Sequence, residues 1–276
     1  MNSSNVMSFK AKINNYAKKH KIAAQVVLQN FMFERFLQRL SMSKYRDKFV
    51  IKGGILVASI VGLDTRSTMD LDTTLRGLPL TEEKIKEAIH SIISMELNDN
   101  VDFEMISIAP IRDNDLYEGF RLRINAHYYS IDTPLSIDIS TGDVMTPDAV
   151  QYQFNCVFED DVFFNLWAYN LETILAEKIE SILTLGVLST RPKDYYDIYI
   201  LTNTKNYDKK VFLEALQATA AHRGTSKVLI DKEIILKQIV QSKALEEMWN
   251  KYRKKFEYAK SIEYSQVMDA LRNIVG

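Results

Sequence analysis

The architecture of this chain depends on two runs, Lys48-Phe-Val-Ile-Lys-Gly-Gly-Ile-Leu-Val-Ala-Ser-Ile-Val-Gly62 and Met69-Asp-Leu-Asp-Thr-Thr-Leu75. Residues 48–52 have the composition of a short strand, and the glycine pair after them opens an apolar segment, residues 55–62. That segment predicts a buried helix, although its length also suits a strand. Residues 69–75 alternate with a period of two, which predicts a further strand.

This second strand brings Asp70 and Asp72 to one face, roughly 7 Å apart along the chain. Paired carboxylates suit Mg²⁺, which prefers oxygen ligands, and metal ions held there activate a hydroxyl nucleophile and neutralise a leaving pyrophosphate. Asp138, in Ser136-Ile-Asp-Ile-Ser140, is the best third metal ligand, with Ile137 and Ile139 on the opposite face. The alternative is that these acids mark only exposed strand faces or turns.

The pair Gly53-Gly54 stands one helix length upstream of the acids. Glycines at the start of a helix let the backbone approach a triphosphate closely, so that N–H groups bind phosphate oxygens. A simple tight turn is the alternative for the pair by itself. The order of strand, glycine pair, apolar segment and acidic strand favours the phosphate-binding interpretation.

A second cluster comprises Lys178 and the run Arg191-Pro-Lys-Asp-Tyr-Tyr-Asp197. Lys178 lies on a strongly amphipathic helix, where it either extends to solvent or reaches a phosphate as a point charge. Asp194 and Asp197 are three residues apart and share a helix face. Asp194 also suits the start of a helix, where an acid is favoured by the helix dipole.

The remaining patterns predict an α+β chain with a helical lead, a mixed α/β middle and a helical C-terminal part, divided into residues 1–168 and 169–276. Apolar periodicity predicts helices within residues 8–40 and, after a capping pattern at Thr81, within 81–95. Strands are predicted at 101–108, 117–126 and 135–140, separated by turns at 112–115 and 132–134. Further helices are predicted at 171–188, 195–201, 211–221, 231–240, 244–260 and 264–275.

Composition narrows the class of protein. The 276 residues are 46% hydrophobic and 26% charged, as in folded globular proteins, with a net charge of −1. This charge excludes nonspecific binding of nucleic acid by the whole chain, so such binding needs a local basic patch. One cysteine excludes an intramolecular disulfide and a thiolate metal cluster. Without a secretory signal or an apolar run of about 18 residues, we expect a cytoplasmic protein with no membrane partner.

The two motifs together resemble those of the AbiEii/AbiGii-type nucleotidyltransferase toxins. Lys52-Gly-Gly54 followed by Arg66-Ser-Thr-Met-Asp-Leu-Asp72 is similar to that family's first motif, K-G-G and R-x-[ST]-x-D-[IL]-D. Ala176-Glu-Lys178 with Arg191-Pro-Lys-Asp-Tyr-Tyr-Asp-Ile198 is similar to its second, a lysine-bearing helix before R-x-K-D-x-x-D-[IL]. The motifs bracket residues 52–201 and occur in the family's order.

The resemblance implies a DNA polymerase β-like nucleotidyltransferase core and transfer of NMP from an NTP, with Mg²⁺ as cofactor. It also implies an acceptor such as tRNA, a cognate antitoxin and a role in phage defence by abortive infection. The implied catalytic residues are Asp70, Asp72, Lys178 and Asp194. The implied nucleotide-binding residues are Lys52, Gly53, Gly54, Thr68, Arg191, Lys193 and Asp197.

Two departures from the family pattern keep alternatives open. Ile55 follows the glycines where many nucleotidyltransferases carry Ser or Thr, so a nucleotide-binding protein without catalysis is the second hypothesis. Transfer to a protein or a small molecule is the third. Asp138 belongs to no motif of the family and rests on strand geometry alone.

An RNA acceptor would contact basic surface, and two basic runs stand out, Lys18-Lys-His-Lys21 and Lys251-Tyr-Arg-Lys-Lys255. In the second, Tyr252, Phe256 and Tyr258 either stack on bases or, with Trp249, form a core stripe beneath solvated cations.

Overall fold

A computed structural model describes residues 2–111 and 119–276, which divide into two compact units. Unit 1 comprises residues 1–143 and 150–168, and unit 2 comprises residues 144–149 and 169–276. The predicted class, α+β with a helical lead and a helical C-terminal part, is confirmed. In the described part of the chain, no helix is both long enough and apolar enough to cross a membrane.

Unit 1 is built around a seven-stranded sheet with strand order β3-β4-β5-β2-β1-β7-β6. The strands β1 to β7 are Phe49–Lys52, Leu71–Leu75, Val101–Pro110, Gly119–Tyr128, Ile131–Thr141, Val150–Cys156 and Glu159–Ala168. The helices α1 to α4 are Asn2–His20, Ala24–Met42, Gly53–Val61 and Glu82–Ile93. The apolar segment after the glycine pair is therefore a helix, α3, as predicted.

Strict alternation gives the sheet one apolar and one polar face. On β4, Leu122, Ile124 and Ala126 are no more than 1% exposed, whereas Arg121 and Arg123 between them are exposed. On β5, Ile137 and Ile139 are likewise buried, and Asp138 lies on the other face. Burial of the apolar face fixes the register of each strand, because a slip of one residue would exchange the two faces.

In unit 1, one predicted turn is wrong, two strands were not predicted, and one predicted turn cannot be compared with the structure. The turn predicted at 132–134 is wrong, since these residues lie within β5 and the turn falls at Tyr129, whose φ is +53°. Pro134 is tolerated because β2 pairs with β5 only from Ile137 onward, and the Pro134 carbonyl accepts a hydrogen bond from Gln29. Strands β6 and β7 were not predicted. The turn predicted at 112–115 and the start of the 117–126 strand lie outside the described residues.

Unit 2 is helical, with α5 Leu171–Leu185, α6 Pro192–Thr204, α7 Lys209–His222, α8 Lys227–Ile230, α9 Lys232–Gln241, α10 Lys243–Lys255 and α11 Tyr264–Val275. Side-chain caps define several helix starts: Asn170 accepts the Thr173 N–H at 2.7 Å, and Asp208 accepts the Lys210 N–H at 2.8 Å. The helix predicted over 244–260 ends at Lys255, followed by a 3₁₀ turn, and α8 was not predicted.

Candidate active site

The acidic strand β2 lies between β1 and β5, and the register aligns one residue from each of four strands. Lys52 of β1 is paired with Asp72, Asp72 with Asp138 of β5, and Asp138 with Arg121 of β4. Directly paired residues project to the same side of a sheet. The polar face of unit 1 therefore carries a row of four charges, two acids flanked by two bases, which we call the charged row.

Asp72 is the member of the row closest to the glycine pair. Its carboxylate accepts a hydrogen bond from the Gly54 N–H. A Cβ on Gly53 would lie 1.9 Å from Asp72 Oδ2, and Gly53 has φ +66°, so only glycine fits there. The pair thus allows the start of α3 to approach the acidic strand closely.

Electrostatics at Asp72 favour a bound cation. Burial raises the pKa of the Asp72 carboxyl, the charge of Lys52 opposes that rise, and the charges of Asp138 and Asp70 raise the pKa further. Carboxylates that raise one another's pKa gain from a positive ion between them, and their oxygens are the donors that Mg²⁺ prefers. Asp70, which is exposed just before β2, and Asp72 therefore fit a divalent metal.

The predicted third ligand, Asp138, has a different partner in this structure. Arg121 donates to both of its oxygens, at 2.8 and 2.7 Å. Within residues 2–111 and 119–276, no three acidic, histidine or cysteine side chains are arranged to hold a metal ion. Metal binding at Asp138 stays a prediction that requires Arg121 to move.

Two of the predicted nucleotide-binding residues, Lys52 and Thr68, lie close to the acidic strand. Lys52 Nζ lies 2.5 Å from Asp143 Oδ2, in a pair that is 16% and 7% exposed. Thr68 is buried, and its hydroxyl lies 3.4 Å from both the N–H nitrogen and the carbonyl oxygen of Asp70. Thr68 thus orders the backbone at Asp70, and its contact with phosphate stays a prediction.

Sequence reasoning missed Asp143, Arg121, Asn30 and the position of Arg66. Burial tends to raise the pKa of Asp143, but the charge of Lys52 and hydrogen bonds from Lys52 and Ser140 hold it below its ordinary value. Asn30 on α2 donates to the Thr68 carbonyl at 2.7 Å and so ties α2 to the segment before Asp70. Arg66 is 3% exposed and lies beneath Gly54. The alternating pattern of β4 was the only signal for Arg121.

The second predicted cluster forms within unit 2. Lys178 Nζ lies 2.8 Å from Asp194 Oδ1 and 2.7 Å from Asp197 Oδ2. Asp197 is completely buried, whereas Lys178 and Asp194 are 13% and 16% exposed. Two carboxylates on one ammonium leave this cluster with a net negative charge. Their part in catalysis and nucleotide binding stays a prediction.

The remaining predicted residues lie at the start of α6 and on α10. Arg191 is exposed at the N-terminal boundary of α6, and Lys193 is half-buried in its first turn. On α10, Trp249 and Tyr252 are 1% and 5% exposed. Trp249 and Tyr252 therefore belong to the core and neither ring is available to stack on a base, whereas Phe256 and Tyr258, just beyond α10, are half-buried.

Comparison with known proteins assigns this chain to a family. The model of the family described as "Nucleotidyl transferase AbiEii toxin, Type IV TA system" matches residues 35–273. No curated protein matches the chain. Several solved structures are similar to this chain, at identities too low to support an argument about activity. A putative nucleotidyltransferase from Helicobacter pylori is 15% identical, with a TM-score of 0.48, and the alignment covers 92% of this chain and 96% of that one.

The protein JHP933, also from Helicobacter pylori, is 15% identical with a TM-score of 0.47, covering 92% and 93% of the two chains. An antigenic nucleotidyltransferase-like protein from Paracoccidioides brasiliensis is 14% identical with a TM-score of 0.33, covering 88% and 92%. TM-scores below 0.5 add nothing to the family assignment, which rests on the match of the family model over most of the chain. By that match, the chain belongs to the AbiEii family of nucleotidyl transferase toxins of type IV toxin–antitoxin systems and is a nucleotidyltransferase.

Proposed function

We propose that this chain transfers an NMP from an NTP to an RNA acceptor such as tRNA, with Mg²⁺ held by Asp70 and Asp72. The observation that carries the proposal is the approach of the Gly53-Gly54 turn to Asp72 within the charged row. A turn that admits no side chain, beside a carboxylate that gains from a cation, suits a metal-bound triphosphate. Type IV toxin–antitoxin membership implies an NTP substrate and an antitoxin partner.

In the reaction, an acceptor hydroxyl oxygen forms a bond to the α-phosphorus of the NTP, and the bond from that phosphorus to its bridging oxygen breaks. Pyrophosphate leaves and the hydroxyl proton is released. The bound metal would activate the hydroxyl and neutralise charge on the phosphates. Lys52, held by Asp143 beside Asp72, places a positive charge where phosphate oxygens would bind.

Unit 2 contributes Lys178 to the proposal. The Lys178 ammonium is held in position by two carboxylates, so we propose that it acts in catalysis as a fixed hydrogen-bond donor. Asp194 is partly exposed and accepts from Lys178, so we propose that it orients this lysine during transfer. Arg191 and Lys193, in the same motif, supply further positive charge for the nucleotide.

The test is incubation of the full chain with total RNA, Mg²⁺ and each of the four α-labelled NTPs. We expect label in RNA with the wild-type chain and none with Asp70→Ala. Asp102→Ala, which removes an exposed acid at the far end of β3, is the matched control and should label as wild type does. Chelation by EDTA should abolish labelling, and added Mg²⁺ should restore it.

Each arm has an outcome that contradicts the proposal. Label in protein or in a small molecule instead of RNA would overturn the RNA acceptor. NTP binding without transfer would overturn catalysis, and full activity of Asp70→Ala would overturn the metal site.

The proposed biological role is growth arrest during phage infection, reversed by a cognate antitoxin. Expression of the chain alone should stop growth, and Asp70→Ala should not. Co-expression of the protein encoded beside it should restore growth. An Asp70→Ala variant as toxic as the wild type would separate toxicity from transfer and contradict this role.

A further inference from the structure

One arginine on the polar face of the sheet, Arg123, has no partner among the described residues. Arg123 lies two residues from Arg121 along β4, which places it about 7 Å beyond the charged row. It is exposed, and it makes no hydrogen bond or ion pair with any residue in the ranges 2–111 and 119–276. Arg121, by contrast, is engaged by both oxygens of Asp138.

The residues facing Arg123 on the neighbouring strands are uncharged. Ser136 of β5 and Ser107 of β3 are its direct cross-strand partners. Side chains at such positions start about 5 Å apart, so a serine hydroxyl stands on each side of the base of the Arg123 side chain. Beyond them stand Asn125 and Pro134, and the nearest acids on this face are Glu104 and Asp138, of which Asp138 is engaged by Arg121. Arg123 is therefore a positive centre with hydrogen-bonding neighbours.

Folding does not account for this arginine. The core side of β4 is supplied by Leu122 and Ile124, which are at most 1% exposed, and Arg123 lies on the other side. Ser107 of β3 is also exposed, so this part of the sheet is an open surface. An open, flat surface suits an extended ligand, because small molecules are bound in concave sites.

We propose that Arg123, with the hydroxyls of Ser107 and Ser136, binds a phosphodiester of the RNA acceptor close to the hydroxyl that is modified. The proposal rests on the proposed function and adds the surface that receives the acceptor. An arginine between two hydroxyls offers a phosphate charge and several donors together. The net charge of −1 makes such a local contact necessary for RNA binding.

The experiment compares steady-state transfer by the full-length wild type, Arg123→Gln and Lys210→Gln, with one labelled NTP and an RNA that the wild type modifies. Lys210 is an 86% exposed lysine on α7, so its variant removes one surface charge elsewhere on the chain. We expect Arg123→Gln to raise the KM for RNA about tenfold, the low end for a hydrogen bond to a charged group. The KM for NTP and the melting temperature should stay at wild-type values, and Lys210→Gln should change none of the three.

Salt dependence and an added charge test the same contact in other ways. In Arg123→Gln, the slope of log affinity for RNA against log salt should fall by about 0.7, the value for one phosphate contact on a single strand. Asn125→Lys, which adds a cation two residues from Arg123 and keeps both serine hydroxyls, should lower the KM for RNA.

Three results would overturn the proposal: an unchanged KM for RNA in Arg123→Gln, an equal rise in Lys210→Gln, or a rise in the KM for NTP instead. If the wild type labels no RNA, the proposed function has failed. If it labels RNA and Arg123→Gln labels it equally well, only this inference has failed.

Discussion

Gly53→Ala should abolish most transfer activity, because the space that its side chain would need is filled by Asp72. The alanine Cβ would stand 1.9 Å from Asp72 Oδ2, whereas real Cβ contacts essentially never fall below 3.0 Å. The carboxylate must therefore move by roughly 1 Å, and a displacement of that size at a reacting centre costs about 100-fold in rate.

The same substitution carries a second, separable cost. Gly53 has φ +66°, where an alanine is strained by about 1–2 kcal/mol. We expect a fall in melting temperature of about 2–8 °C from strain alone, for a domain of this size. Activity must therefore be compared at a temperature at which both proteins are folded.

Gly224→Ala is the matched control for that strain. Gly224 has φ +67°, but a Cβ there would meet no atom within 4 Å. The two variants should lose similar stability by thermal unfolding, while only Gly53→Ala loses NMP transfer to RNA. Wild-type transfer by folded Gly53→Ala would refute the reasoning that Asp72 must stay where the structure places it. If Gly224→Ala lost as much activity, the loss in Gly53→Ala could not be attributed to the clash between its Cβ and Asp72.

Three further predictions concern buried ionisable groups. Asp143→Asn should lower the free energy of unfolding at pH 7 by about 2 kcal/mol, because Lys52 loses a buried partner. Since the folded-state pKa of Asp143 is held below its ordinary value, this contribution is present above about pH 4 and is lost as the pH falls through the folded-state pKa. The free energies of unfolding of the two proteins, from urea titrations, should therefore converge as the pH falls below about 4. Asp197→Asn should cost about 3 kcal/mol by the same measurement, because its partner Lys178 is also largely buried. Burial raises the pKa of Cys156 to about 12, so a thiol reagent at pH 8 should modify it only after denaturation.

Each of these has a contrary outcome and a control. Glu257→Gln, at an exposed ion pair with Lys260, should change stability by less than about 0.5 kcal/mol. If Glu257→Gln lost as much stability as Asp197→Asn, burial would not be what determines how much an ion pair contributes to the free energy of unfolding. A stability difference at Asp143 that grows as the pH falls would contradict the lowered pKa, and rapid modification of native Cys156 would contradict its burial.

Sequence patterns correctly predicted those features that depend on residues within a single helix or strand. Helical periodicity predicted most helices of unit 2, and the glycine pair with its apolar segment predicted α3. Alternation predicted that Asp138 and its isoleucine neighbours face opposite sides of β5, as they do. The two motifs predicted the family, which the family model confirms over residues 35–273.

Predictions that depended on one short signal were less secure. The sequence Asp132-Thr-Pro134 has the composition of a turn, but the strand continues through it because Pro134 stands where only one neighbouring strand is paired. Strands β6 and β7 were missed although Tyr152, Phe154 and Cys156 alternate with polar residues. Here tertiary context overrides local preference.

The sequence alone determines that this chain is an α+β protein and that it carries the motif residues of a nucleotidyltransferase, among them Asp70, Asp72 and Lys178. Only the tertiary structure decides which charges meet. It pairs Asp138 with Arg121, Lys52 with Asp143 at a separation of 91 residues, and leaves Arg123 exposed among serines. The physical reason is that side-chain direction along one strand follows from a local period of two, whereas the register between strands is set by burial of the whole apolar face across distant segments.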